Sequence, residues 1–194
     1  MKHYLLPQEG QFYKANMHTH TTISDGDFTP EEIKRLYMEN GYSIVAYTDH
    51  EVMMSHNDLT DEDFLAINGV ETITSDKWPG GYCYNKTYHI NFYAKSPDIT
   101  HCPTLSANNI WPAHAKVYAT QEMIDHPYKN HYSIAGVNDA IKRATRRGSS
   151  FASTIRCGPA SIIPIIWASR VCGAWSFITP AVIAAASTIP RSPW

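Results

Sequence analysis

Between Thr145 and Trp194 the chain has no Leu, Asp, Glu, Asn, Gln, His, Tyr, Lys or Met. Leu and Glu are among the commonest residues of folded domains. At an ordinary acidic frequency of roughly 10–12%, a stretch this long without one acid is expected on the order of once in a few hundred. All ten histidines lie at or before His131, and all eighteen acidic residues at or before Asp139. The chain therefore divides into residues 1–144, which hold every imidazole and carboxylate, and a compositionally odd tail, 145–194.

With 194 residues there is material for one domain with a sizeable core. A formal net charge of -2 argues against a strong field for nucleic acid or membrane surfaces. Cys83, Cys102, Cys157 and Cys172 are scattered, as expected of free thiols in a reducing compartment. The opening MKHYLLPQEG lacks the apolar run of a secretory signal, so the expected location is cytoplasmic.

Gln11 to His20, QFYKANMHTH, reads as a strand running into a functional loop. Thr29 to Gly41 reads as a helix: Thr29 caps, Pro30 starts, Glu31 and Glu32 suit the positive end of the dipole, and Gly41 stops it. Its inward face is Ile33, Leu36 and Tyr37. Tyr42 to His50 is a buried strand ending in polar residues, and Ala66 to Thr74 another, preceded by a short acidic helix at Asp61 to Leu65. Lys86 to Ala94 alternates like a strand, and Ser133 to Arg147 reads as a helix with Val137, Ile141 and Ala144 inward. This rhythm predicts an α/β fold with a parallel sheet or barrel, whose sites gather at the C-terminal ends of the strands. The segment Tyr93 to Tyr132 has no readable signature and reads as a packed excursion rather than a lid.

Residues two apart on a strand share a face, so His18 and His20 can grasp one ion together. Imidazole suits Zn, Mn and Fe(II), and carboxylates suit hard cations. Asp25 follows in the next loop, Asp49 and His50 end the second strand, and Glu71 ends the third. Bland roles compete: Asp25-Gly26 also fits a plain turn, Asp49 a helix cap, and Glu71 a lysine partner. His3, His56, His101, His114, His126 and His131 have no ligand context.

HTHTTISDG, then YTDH, then GVE, then a histidine in the next strand resembles the motif order of the PHP (polymerase and histidinol phosphatase) family. The resemblance covers roughly Phe12 to Ala144. It implies a distorted (β/α)7 barrel, two or three divalent metal ions (Mn, Fe or Zn) and hydrolysis of phosphate esters. It implies His18 and His20 as ligands of one metal, Asp25 and His50 of a second, Glu71 as the bridge and His89 as a ligand of the third. Of these, His18, His20, Asp25, His50 and Glu71 would act through metal-activated water, with Asp49 supporting them and Lys86 or Arg35 near phosphate. The partner implied is a small phosphorylated substrate, with a nucleic-acid end as the alternative.

The family pattern needs more ligands: a histidine in an Asn-His-Pro context and a final Asp-x-His. No histidine or acid follows Asp139. The barrel is therefore expected to be incomplete, with first strands and helices retained, an irregular tail and impaired activity. Read one base earlier, codons for Ala152 to Pro159 can give Phe-Asn-His-Pro-Leu-Trp-Ser, and the same frame restores Leu and Glu nearby. A change of frame near Ala144 accounts for both observations. Two rival readings remain: a non-catalytic metal-binding or interaction remnant, and a membrane-associated protein whose tail, Ala160 to Ile189, inserts. The second is disfavoured by Arg170, since a central Arg costs about 2.5–3.5 kcal/mol on insertion scales. Sequencing the gene across codons 140–160 is expected to show the Asn-His-Pro reading one base over; bases that do not encode it there reject the frame change.

Overall fold

Thr29 caps the first helix as its position before Pro30 predicts. Its hydroxyl accepts from Glu32 N, and the Glu32 carboxylate accepts from Thr29 N at 2.9 Å, a reciprocal capping box. At the other end Gly41 has φ +77°, which lets Gly41 N reach Met38 O at 2.9 Å and Tyr42 N reach Tyr37 O at 3.0 Å. Those two bonds close the last turn. The computed structural model describes residues 13–78, 81–100, 110, 117–126, 128–129 and 131–157, with backbone alone at 75–78, 81–87 and 150–157.

The described elements run β1 (Ala15–Thr19), α1 (Pro30–Glu39), β2 (Ile44–Tyr47), a 3-10 turn (Asn57–Leu59), β3 (Leu65–Trp78), β4 (Gly81–Ala94), α2 (Gln121–Asp125), α3 (Ile134–Arg146) and β5 (Ser149–Cys157). They form a five-stranded sheet in the order β1-β2-β3-β4-β5. This mixed α/β arrangement is compatible with part of a barrel. β1, β2 and β3 are mutually parallel, as expected, but β4 runs antiparallel to β3, and β5 antiparallel to β4. The reason is length. A parallel crossover needs a dozen or more residues, and only Pro79 and Gly80 separate β3 from β4.

Two further expectations are corrected. Asp61 to Leu65 is not a helix: the Asp61 carboxylate accepts from Asp63 N and Phe64 N at 3.0 and 2.9 Å, so it closes a turn instead. The tail is not irregular throughout, because Ser149–Cys157 forms β5 against β4. Residues 158–194, including the apolar stretch, lie outside the described residues. Among the described residues no helix is long and apolar enough to cross a membrane.

The sheet's two faces differ. Val70, Ile90 and Phe92 pack with Val137 and Ile141 of α3, whose inward residues are the ones its periodicity predicts. Met123 and Tyr128 of the Tyr93 to Tyr132 segment join this core, while Val117 and Ile124 stay exposed. Glu71 and Asn91, direct partners across β3 and β4, share the opposite face with His89. Where β2 ends, the chain keeps hold of β3. Glu71 N donates to Asp49 O at 3.2 Å, Glu51 N to Glu71 O at 2.8 Å, and Ile73 N to the Glu51 carboxylate at 2.6 Å.

The loop after β1 turns back tightly, with Gly26 N donating to Thr21 O at 2.9 Å. A Cβ on Gly26 would lie 2.4 Å from the His20 carbonyl oxygen, closer than any side chain tolerates. Gly26→Ala is therefore expected to force the loop open and to destabilise by about 1–3 kcal/mol, read as a lower urea midpoint. An unchanged midpoint would show that the loop does not need this close approach.

Candidate metal centre

Each predicted ligand reaches the same face by a separate route. His18 lies on β1 and His20 just past its end. The register of β1 against β2 is broken between Asn16 and Thr19, and Asn16 spans that break with its amide nitrogen 2.6 Å from Thr19 Oγ1. His50 follows β2 and bridges to Glu71 on β3. His89 projects from β4. Asp25 comes from the β1–α1 loop.

Glu71, 1% exposed, is the hub. His20 Nε2 lies 2.9 Å from Glu71 Oε2, His50 Nδ1 3.3 Å and His18 Nε2 3.8 Å from that same oxygen; His89 Nδ1 lies 3.0 Å from Oε1. Asp25 stands on the open side, with Oδ1 2.6 Å from His20 Nδ1 and Oδ2 3.6 Å from His50 Nε2. These six residues form three overlapping triads: His18, His20 and Glu71; His20, Asp25 and His50; His50, Glu71 and His89. Within each triad the ligand atoms lie within 4.8 Å of one another. The resemblance assigned His20 and His50 to one metal each, whereas here each belongs to two triads.

Asp49 is 2% exposed and belongs to the frame of the site rather than to its donors. Its carboxylate accepts from Thr21 N at 2.7 Å, Thr21 Oγ1 at 2.9 Å and Ser24 Oγ at 2.7 Å, which ties the loop carrying Asp25 to the end of β2. Arg35 is exposed on α1, and the Lys86 side chain lies outside the described residues. His56 is buried and stacked on Tyr47 with centroids 4.4 Å apart, and His126 and His131 are exposed. His3, His101 and His114 lie outside the described residues. Sequence reasoning missed Thr48, Glu51 and Asn91. Asn91 had a usable signal, since it follows His89 by two in a strand and so shares its face.

The electrostatics suit a cation. Burial lowers the pKa of His18 and His50 and so favours neutral rings with lone pairs to give. Burial works on His20 as well, but the adjacent Glu71 and Asp25 carboxylates outweigh it and raise its pKa. For Glu71, burial is outweighed by the close approach of His20 and His89, and its carboxyl is brought down to about 2. His20 Nε2 and Glu71 Oε2, both buried, meet at 2.9 Å outside hydrogen-bonding angles. Atoms so arranged converge on a point rather than on each other, which fits a shared ion.

No protein-family model matches the chain, and no curated protein sequence does. Among solved structures it is similar to a "putative metal-dependent phosphoesterase" from Bifidobacterium adolescentis, at 15% identity and a TM-score of 0.46, over 84% of this chain and 76% of that one.

The lowered Glu71 pKa has a consequence for stability without metal. A depressed carboxyl stabilises fully above its unfolded value of 4.5, and this is lost as pH falls towards about 2. His20 acts oppositely: its contribution is full below 6.5 and fades as pH rises through its raised value. With chelator present, the urea midpoint is expected to drop between about pH 5 and pH 3, and Glu71→Gln to flatten that drop. The same acid limb in the variant would show that Glu71 is not its source.

Proposed function

We propose that the chain carries a PHP-type metal-dependent phosphoesterase centre, holding two or three divalent ions (Mn, Fe or Zn) and acting on a small phosphorylated substrate. One observation carries the reading: four imidazoles and two carboxylates from separate strands and a loop meet around the Glu71 carboxylate in overlapping triads. His18, His20, Asp25, His50, Glu71 and His89 would hold the ions. Divalent cations there supply neutralisation of phosphoryl charge and acidify water near neutral pH. Asp49 keeps the Asp25 loop in place, Glu71 offsets cation charge at the buried end, and half-exposed Asp25 marks the side from which a phosphate ester enters.

Turnover is impaired in this chain, because residues 145–194 offer no imidazole or carboxylate to complete the shell. In the frame-change reading the lost histidine falls across codons 154 and 155, on β5 where Ile155 pairs with His89, and only the gene sequence decides it. The same lack of late ligands favours a second reading, a metal-binding remnant without catalysis.

Metal analysis and phosphate-ester hydrolysis separate these readings. Purified protein is expected to take up Mn(II) or Zn(II), Glu71→Ala to lose at least about ten-fold in affinity, and p-nitrophenyl phosphate to be hydrolysed slowly and only with metal. Uptake without hydrolysis selects the remnant. No uptake at all rejects the metal centre.

A further inference from the structure

We propose that Asn91 is a positioning residue that selects which nitrogen of His18 faces an incoming ion, through the orientation of its buried carboxamide. The proposal rests on the metal-centre reading above and adds a residue that the ligand set does not contain.

A neutral imidazole has one N–H and one bare nitrogen. The His18 nitrogen on the ion side is Nε2, 3.8 Å from Glu71 Oε2. It can bind an ion only when bare, and then Nδ1 must carry the hydrogen and find an acceptor. Two groups stand at Nδ1: the Asn91 amide nitrogen at 2.8 Å and Thr48 Oγ1 at 3.2 Å. The nearer group is a donor. Asn91 Nδ2 facing Nδ1 requires a bare Nδ1, which puts the hydrogen on Nε2 and points it at Glu71. That tautomer suits the empty centre and blocks the loaded one.

The surroundings explain why the amide sits this way. Tyr93 gives its hydroxyl proton to Met17 O at 2.7 Å, so its oxygen is left to accept, and Asn91 Nδ2 lies 3.2 Å from it. One amide group thus serves two acceptors. Asn91 Oδ1, in a residue with no solvent exposure, has no hydrogen-bond partner among the described residues. Turning the amide by half a revolution would place Oδ1 at Nδ1, supply the acceptor that an Nδ1–H needs, and leave Nε2 bare. The turn gives up the bond to Tyr93. Loading then moves one proton between two ring nitrogens at constant charge. Asn91 is a two-position latch, held with Nδ2 towards His18 by Tyr93 and turned when Nε2 must be bare.

Long-range proton–nitrogen NMR on histidine-labelled protein reads the tautomer directly, with His18→Ala assigning the signal. In chelated wild type His18 is expected to be protonated at Nε2. Asn91→Asp, which offers only acceptors, is expected to move the proton to Nδ1 and to tighten Zn(II) binding by about ten-fold, a typical effect of a group behind a metal-bound histidine. Asn91→Leu, nearly the same size, removes the donor and is expected to shift the chelated protein towards Nδ1–H on Thr48, which keeps the test alive if the Asp variant does not fold. The same His18 tautomer in wild type and a folded variant overturns the proposal, as does Zn(II) bound through Nδ1. Failure of the wild type to take up Zn(II) would sink the metal centre, while the chelated tautomers would still decide the role of Asn91.

Discussion

A carboxylate buried to 1% exposure has to be compensated, because leaving an ion unpaired in the interior costs several kcal/mol after relaxation. Glu71 sits in the middle of β3, and no lysine or arginine side chain is described as paired with it. Imidazoles from β1, from the ends of β1 and β2, and from β4 surround it instead. Four rings cannot all be protonated so close together, and burial already biases His18 and His50 to the neutral form. The cluster is therefore short of positive charge by construction. A divalent cation would supply it.

Meeting that demand requires strand ends to be held where the ladder stops. β2 pairs with β3 only as far as Tyr47 and Asn68, yet His50 must stay beside Glu71. The chain manages this with Glu51, a non-glycine residue at φ 58°, a conformation costing about 1–2 kcal/mol. In return its carboxyl caps Ile73 N, which β2 no longer reaches. Burial pushes that carboxyl up to about 8 and so favours its neutral form beside an already charged Glu71. Asp49 does the matching job on the other side, with three donors from the loop that carries Asp25. The ligands look like a chance convergence of four elements, but two acids, neither among the ligands, fix their approach.

Much of this was legible in sequence because it rests on local rules. The Thr29 cap, the stop at Gly41 and the inward face of Val137 and Ile141 follow from spacing alone. The shared face of His18 and His20 follows from strand alternation, and it survives a break in register because Asn16 bridges that break. What was not legible depends on competition between local options. Asp61 to Leu65 has acids enough to start a helix, but Asp61 satisfies two backbone N–H groups as a turn, and Leu65 is taken by β3. The direction of β4 was not legible because both strands run past the expected limits of Thr74 and Lys86, leaving only two residues between them and no room for a crossover. Strand alternation puts Asn91 on the face of His89, but its contacts with His18 and Tyr93 depend on the packed structure.

The tail shows how differently fold and chemistry depend on sequence. β5, SSFASTIRC, lies where the composition has already turned odd, yet it pairs with β4 along its length. Pairing is a main-chain property. Any run without Pro and with enough Thr, Ile and Phe can extend a sheet that already presents an open edge. Ligation is a side-chain property, and the β5 sequence, with Ile155 paired to His89, holds neither a histidine nor an acid. Secondary structure can therefore continue past the point where the site's chemistry stops. The architecture reaches at least to Cys157, whereas among the described residues the last ligand of the cluster in sequence order is His89.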